Sequence, residues 1–127
     1  MHRWRSPDGI VVFDAADLTA ESNFWAGFLG GVVVDNGGWH MVVVNGEVRV
    51  SVQLVPHHAA PAWPAPPPQR IYVDLWVDDT DGARNELMSL GATLLQPSSE
   101  ESELADDVAV YADPAGHLFR VHWVRRA

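Results

Sequence analysis

The chain repeats itself. Ile10-Val-Val-Phe-Asp-Ala-Ala-Asp17 leads into a helix-like stretch ending Phe28-Leu29-Gly30, and Ile71-Tyr-Val-Asp-Leu-Trp-Val-Asp78 leads into a second ending Ser89-Leu90-Gly91. The two Leu-Gly ends lie 61 residues apart and the aspartates at the helix starts, Asp17 and Asp79, lie 62 apart, so one residue has been gained or lost inside a helix. A Val/Thr-rich strand follows each glycine. Strand-helix-strand units of this size are too small to bury their own apolar faces and are expected to pack together. A concavity between them is then the natural place for a ligand.

The order of elements is read in the same way for both halves. Asp17 and Thr19 offer N-cap chemistry before a helix over Ala20 to Phe28, in which Phe24, Trp25, Phe28 and Leu29 recur at helical spacing, and Gly30-Gly31 ends it. Strands are expected at Val32 to Asp35, Trp39 to Val44 and Glu47 to Val55, with Asn36-Gly-Gly38 and Asn45-Gly46 as hairpin turns. Residues 56 to 68 hold six prolines, together with His57-His58 and Trp63, and form a linker rather than a helix or central strand. The second half runs as a strand from Arg70 to Val77, a helix from Asp79 to Leu90, a strand from Ala92 to Gln96, an acidic loop from Pro97 to Asp106, and strands at Val108 to Ala112 and His117 to Val124 around the turn Asp113-Pro-Ala-Gly116.

Composition removes several function classes. At 127 residues the chain is one domain, able to bury roughly two thirds of its unfolded surface. It has no Cys, which excludes thiol nucleophiles and zinc-thiolate sites, and no Lys, which excludes Schiff-base chemistry and a P-loop lysine. The net charge of -9 repels phosphate backbones, so nucleic acid is not an expected partner. The apolar runs fall far short of the roughly 20 residues that span a bilayer, and the first residues lack a signal-like core. A cytoplasmic protein without membrane partners is expected. No Gly-x-Ser-x-Gly or Gly-x-Gly-x-x-Gly motif is present.

The element order, Asp113-Pro-Ala-Gly-His-Leu-Phe-Arg-Val121, the Asp78-Asp79 pair, Phe24-Trp25 and both Leu-Gly helix ends together resemble the vicinal oxygen chelate superfamily over nearly the whole chain. The resemblance is to its glyoxalase-like branch, which includes bleomycin-resistance proteins and extradiol dioxygenases. It implies an α+β fold of two βαβββ modules, forming a curled, mostly antiparallel eight-stranded sheet around a cavity with the helices outside. The domain would cover 8–124, with module 1 at about 8–55, the linker at 56–68 and module 2 at about 70–124. Metal-dependent members take ligands from positions that, keyed on Asp17 and Asp79, fall on Ile10, Gln53, Tyr72 and Arg120. Ile supplies no donor, Gln and neutral Tyr are weak donors, and Arg is itself a cation. The expectation is therefore a relative without the usual divalent metal and without another cofactor.

Strand alternation sorts the candidate site residues. Val73, Leu75 and Val77 separate from Tyr72, Asp74 and Trp76; Phe119, Val121 and Trp123 separate from Leu118, Arg120 and His122; Val48, Val50, Val52 and Leu54 separate from Arg49, Ser51 and Gln53; and Val11, Phe13 and Ala15 separate from Asp14. The polar sets suit a small organic ligand: Arg120 or Arg49 gripping an anion, Trp76 and Tyr72 stacking on an apolar body, and Asp14, Ser51, Gln53 and Asp74 supplying hydrogen-bond groups. A bland alternative has Arg120 and Asp74 neutralising each other on a solvated or dimer-covered face. An enzymatic alternative, of lyase, isomerase or dioxygenase type, assigns acid-base roles to His122, Asp74 and Tyr72, or a rearranged metal site to Asp14, Asp74 and His122. A third reading is a homodimeric interaction module. His117 and the His57-His58 pair are read as structural, and the acidic Glu100 to Asp107 segment as a solvated loop lacking EF-hand spacing.

Overall fold

The computed structural model describes residues 10–58, 72–97 and 106–124, without the side chains of 106, 107, 123 and 124. Trp63 and most of the acidic loop lie outside the described residues. The chain divides into two compact units, 1–58 and 59–127. Unit 1 contains β1 (Val11–Ala15), α1 (Leu18–Leu29), β2 (Val32–Asp35), β3 (Trp39–Val44) and β4 (Glu47–Leu54), and unit 2 contains β5 (Val73–Val77), α2 (Thr80–Leu90), β6 (Thr93–Gln96), β7 (Asp106–Ala112) and β8 (Leu118–Val124). The fold is α+β, two βαβββ units with two helices and eight strands among the described residues.

Hydrogen bonding places the strands in two four-stranded sheets of identical topology, β1-β4-β3-β2 and β5-β8-β7-β6. In each, the first strand runs parallel to the last and the other two pairings are antiparallel. A parallel pair needs a long crossover, and the helix and two middle strands of each unit supply it. Asn45 and Gly46 both take positive φ, 52° and 80°, which is the geometry that an Asn-Gly hairpin turn selects between β3 and β4.

The helices carry the repeat's one-residue discrepancy: α1 has 12 residues and α2 has 11. Both begin alike, the N–H of Ala20 donating to Asp17 Oδ1 at 3.0 Å and that of Gly82 to Asp79 Oδ1 at 2.9 Å. Both end on a left-handed glycine, Gly30 at φ 73° and Gly91 at φ 106°. Because Asp17 is the cap, α1 starts at Leu18, two residues before the expected Ala20. At the far end of unit 2, the Asp113 turn is closed by its own carboxylate, whose Oδ1 accepts from the N–H groups of Ala115 and His117 at 3.1 and 2.8 Å. Asp113 is buried, so these bonds satisfy a group that burial alone would penalise.

Each unit has its own apolar core. In unit 1 the rings of Phe13 and Trp25 stack at 5.1 Å, Phe24 meets Trp25 edge-on at 5.2 Å, and Val42, Val50 and Val52 close the layer. In unit 2 Tyr111 and Phe119 stack 5.5 Å apart, and Ala109, Val121 and Leu87 are buried as well. Burial raises the Tyr111 hydroxyl's pKa, and the Arg84 charge on α2 opposes the rise.

Candidate functional site

Parallel pairing of β5 with β8 sets Asp74 beside Arg120 and Trp76 beside His122. Since side chains alternate along strands, these residues and Tyr72 share the face opposite Phe119 and Val121. They form a connected row. Arg120 donates from Nε to Asp74 Oδ1 at 2.6 Å and from Nη2 to Oδ2 at 2.7 Å, a bidentate charge-assisted pair. The guanidinium carbon lies 4.7 Å from the centroid of the Tyr72 ring, in cation-π contact. At the other end, the imidazole of His122 stacks on the Trp76 indole, 4.7 Å between centroids with 16° between planes.

Asp74 joins the two halves of the row. His122 Nε2 lies 3.5 Å from Asp74 Oδ2, an electrostatic contact at the outer limit of an ion pair and not a formed hydrogen bond. Both ring nitrogens of His122 are buried without a hydrogen-bond partner among the described residues. The hydrogen bond from Arg120 holds the Asp74 carboxyl below the usual carboxylate range, against an opposing desolvation effect, with the charges of Arg120 and His122 adding to the lowering. The same hydrogen bond from Asp74 raises Arg120. Asp74 is therefore an anion, and Arg120 a cation, at any pH the protein meets. The row ends in solvent: Trp76 is 59% exposed.

The remaining candidates belong to unit 1. Gln53 Nε2 donates to Asp14 Oδ1 at 2.9 Å, across the paired strands β4 and β1. Ser51 is buried, whereas Arg49 is exposed and sits 3.5 Å from Glu47. Register sharpens the equivalence between halves. Val11 pairs with Val50 and Val73 with Phe119, so the counterpart of Arg120 is Ser51 and the counterpart of Gln53 is His122. Keying only on helix starts, which fixes β1 against β5, cannot see this, because the loops before β4 and β8 differ in length.

Unit 1 also holds a buried polar chain that the sequence reading missed. Ser22 Oγ lies 2.8 Å from His40 Nδ1, and His40 Nε2 lies 3.2 Å from Asp35 Oδ1. The Asn36-Gly-Gly38 turn pairs Asp35 with His40, so half of the chain was available from hairpin register; nothing local announces Ser22. The residue types match a hydrolase relay, but Ser22 is fully buried and no substrate carbonyl can reach it. The chain ties α1 to β3. With Nε2 carrying the proton toward Asp35, Nδ1 accepts from the Ser22 hydroxyl.

The side chains at the positions where the family resemblance places metal ligands, Ile10, Gln53, Tyr72 and Arg120, are poor donors for a divalent cation. Ile10 offers no donor atom in unit 1, and Ser51 is no better a ligand than Gln53 at the β4 position. In unit 2 Arg120 is a fixed cation whose neighbouring carboxylate, Asp74, is already engaged in a bidentate pair, and Tyr72 lies beneath it. Among the described residues no three His, Asp or Glu side chains are grouped to hold a metal ion.

Two βαβββ units of like topology, one of them carrying a polar row on the sheet face opposite Phe119 and Val121, have the architecture of the vicinal oxygen chelate class. Residues 10–122 match the family model for the glyoxalase-like domain, and the chain belongs to that family. Its fold is similar to a glyoxalase/bleomycin resistance/dioxygenase family enzyme from Burkholderia phytofirmans, at 16% identity and TM-score 0.69 over 91% of this chain and 97% of that one. It is also similar to the fosfomycin resistance protein FosX from Listeria monocytogenes, at 11% identity and TM-score 0.69 over 92% of each chain. A glyoxalase-related enzyme from Fulvimarina pelagi aligns at 19% identity and TM-score 0.66, over 91% of this chain and 86% of that one. No curated protein matches. No helix among the described residues is long and apolar enough to cross a membrane.

Proposed function

We propose that this chain is a metal-independent small-molecule-binding protein of the glyoxalase-like family, with its binding chemistry on the β5–β8 face. The observation that carries the reading is the Arg120 guanidinium, fixed by Asp74 and Tyr72 at a position where metal-dependent relatives place a ligand. A fixed organic cation there repels a second cation and offers directional N–H donors instead. The exposed indole of Trp76 adds an apolar platform beside it. Homodimer formation belongs to the same reading and is checked by light scattering. The test is thermal-shift screening of untagged protein against metabolites and antibiotics, with and without chelator, alongside elemental analysis. Saturable shifts that survive chelation are expected; a stoichiometric divalent metal overturns the reading.

A second reading has its own observation. His122, whose ring nitrogens have no hydrogen-bond partner among the described residues and which has a carboxylate at 3.5 Å, is the acid-base candidate of that reading. In that case the protein is an acid-base enzyme of lyase or isomerase type. Turnover of a ligand found in the screen, abolished in His122→Ala while binding persists, would establish it.

A further inference from the structure

We propose that the ligand of the β5–β8 face is an aryl monocarboxylate, its carboxylate taken by the outer edge of the Arg120 guanidinium and its ring laid on Trp76; this rests on the binding function proposed above.

Arg120 spends one edge of its guanidinium, Nε and Nη2, on Asp74. The edge formed by Nη1 and the second hydrogen of Nη2 has no protein partner among the described residues, and the side chain is 38% exposed. Two parallel N–H groups on that edge match the two oxygens of a carboxylate. Asp74 and the Tyr72 ring hold the fork in place, so little conformational freedom is lost when a ligand engages it.

Charge decides which anion is accepted. Asp74 and Arg120 cancel, so the row carries no surplus positive charge with which to hold a dianion, and the chain as a whole stands at -9. A carboxylate, with one charge and the matching planar fork, is favoured over a phosphate monoester or phosphonate dianion.

The second anchor is Trp76. An indole 59% exposed on a sheet face is held flat by its stack on His122, which leaves a rigid aromatic surface to receive another ring in offset or edge contact. Arg120 stands across from Asp74, and His122 across from Trp76, so the two anchors are two residues apart along the strands, about 7 Å. A ring joined to its carboxylate by a short spacer spans them.

Calorimetry with 3-phenylpropanoate, 3-phenylpropanamide, 3-cyclohexylpropanoate and phenyl phosphate tests the assignment on the full chain. The carboxylate is expected to bind about tenfold or more tightly than the amide, the cyclohexyl acid and the phosphate. Arg120→Gln should remove the preference of acid over amide, and Trp76→Ala the preference of phenyl over cyclohexyl, with circular dichroism confirming that each is folded. Arg120→Lys, which keeps the charge but not the fork, supplies the folded control if Arg120→Gln is unstable, and should lose affinity as well. Absence of binding by 3-phenylpropanoate, or preferences unchanged in the variants, overturns the inference. If other library compounds still bind without metal, the broader reading stands while this one falls; if a stoichiometric metal is found, both fall.

Discussion

Register sets Val12 against Asp74, Asp14 against Trp76, Ser51 against Arg120 and Gln53 against His122, so every linked member of the polar row in unit 2 has a different chemical type at the matching place in unit 1. The helices differ in the opposite sense. In α1, Glu21, Ser22, Phe24, Trp25 and Ala26 are buried; in α2 only Leu87 is. Unit 1 concentrates its distinctive residues between helix and sheet, and unit 2 on the sheet face opposite Phe119 and Val121. A duplicated scaffold lets one copy carry packing while the other accumulates charged and aromatic groups that an isolated small unit would tolerate poorly. The difference teaches where to look for function: in the copy whose helix is lightly held and whose far face is chemically rich.

The largest effect that tests this division lies in the helix-sheet layer of unit 1. Trp25 is fully buried, stacked on Phe13 and edge-on to Phe24. Trp25→Ala should cost about 3–5 kcal/mol in urea unfolding. Hydrogen exchange should show the loss in α1 and β1 first. A loss spread evenly over both units would break the comparison, because it would mean that they unfold as one.

Next in size is the buried polar tie. Ser22→Ala leaves His40 Nδ1 facing an apolar methyl in a buried setting and should cost about 1–3 kcal/mol. Among the described residues of unit 2 there is no equivalent: Arg84 follows Asp79 at the same interval as Ser22 follows Asp17, and Leu87 is the buried residue of α2. A negligible effect would reduce the chain to an incidental contact.

Features shared by the two units offer a smaller test in which they should agree. Asp17→Ala and Asp79→Ala each remove one N-cap hydrogen bond, at 3.0 and 2.9 Å, and should each cost about 1 kcal/mol in urea unfolding. Unequal losses would show that the lightly buried α2 contributes less to stability than its cap geometry suggests.

How much of this was legible in the sequence follows from which interactions are local. The Asp17 cap, the Leu-Gly helix ends, the Asn45-Gly46 turn and the one-residue difference between helices depend on neighbouring residues and on spacing and are legible directly, whereas Asp79, expected as the first residue of the second helix, is its cap. Alternation placed Tyr72, Asp74 and Trp76 on one face, and Arg120 and His122 on one face of their own strand, because period two is a backbone property. The sequence did not supply the register between distant strands. That is why helix starts alone leave the register of Ser51 with Arg120 and of Gln53 with His122 unread, and why the bidentate pairing of Asp74 with Arg120 stands in the sequence only as one alternative. Ser22 was missed for a related reason: a small hydroxyl on a helix has no periodic signature, and its meaning comes from a histidine on another element.

The smallest expected effect concerns pH, and it belongs to unit 2 alone. The hydrogen bond from Arg120, the largest cause, depresses the folded pKa of Asp74 below its reference value of 3.8. A depressed carboxyl contributes stability that is fully present above the unfolded pKa and is lost as pH falls through the folded one. Asp74 and Arg120 are 25% and 38% exposed, so solvent screening keeps the contribution below about 1 kcal/mol. Asp74→Asn should therefore lower the urea midpoint slightly at pH 7, and the gap from the parent protein should close as pH falls below about 4. Ser51 and Val12, the counterparts of Arg120 and Asp74 in unit 1, carry no charge, so Ser51→Ala should leave no pH-dependent gap. A gap for Asp74→Asn that persists unchanged at pH 3 would mean that the carboxylate acts by shape rather than charge, and the ionic character assigned to the β5–β8 row would go with it.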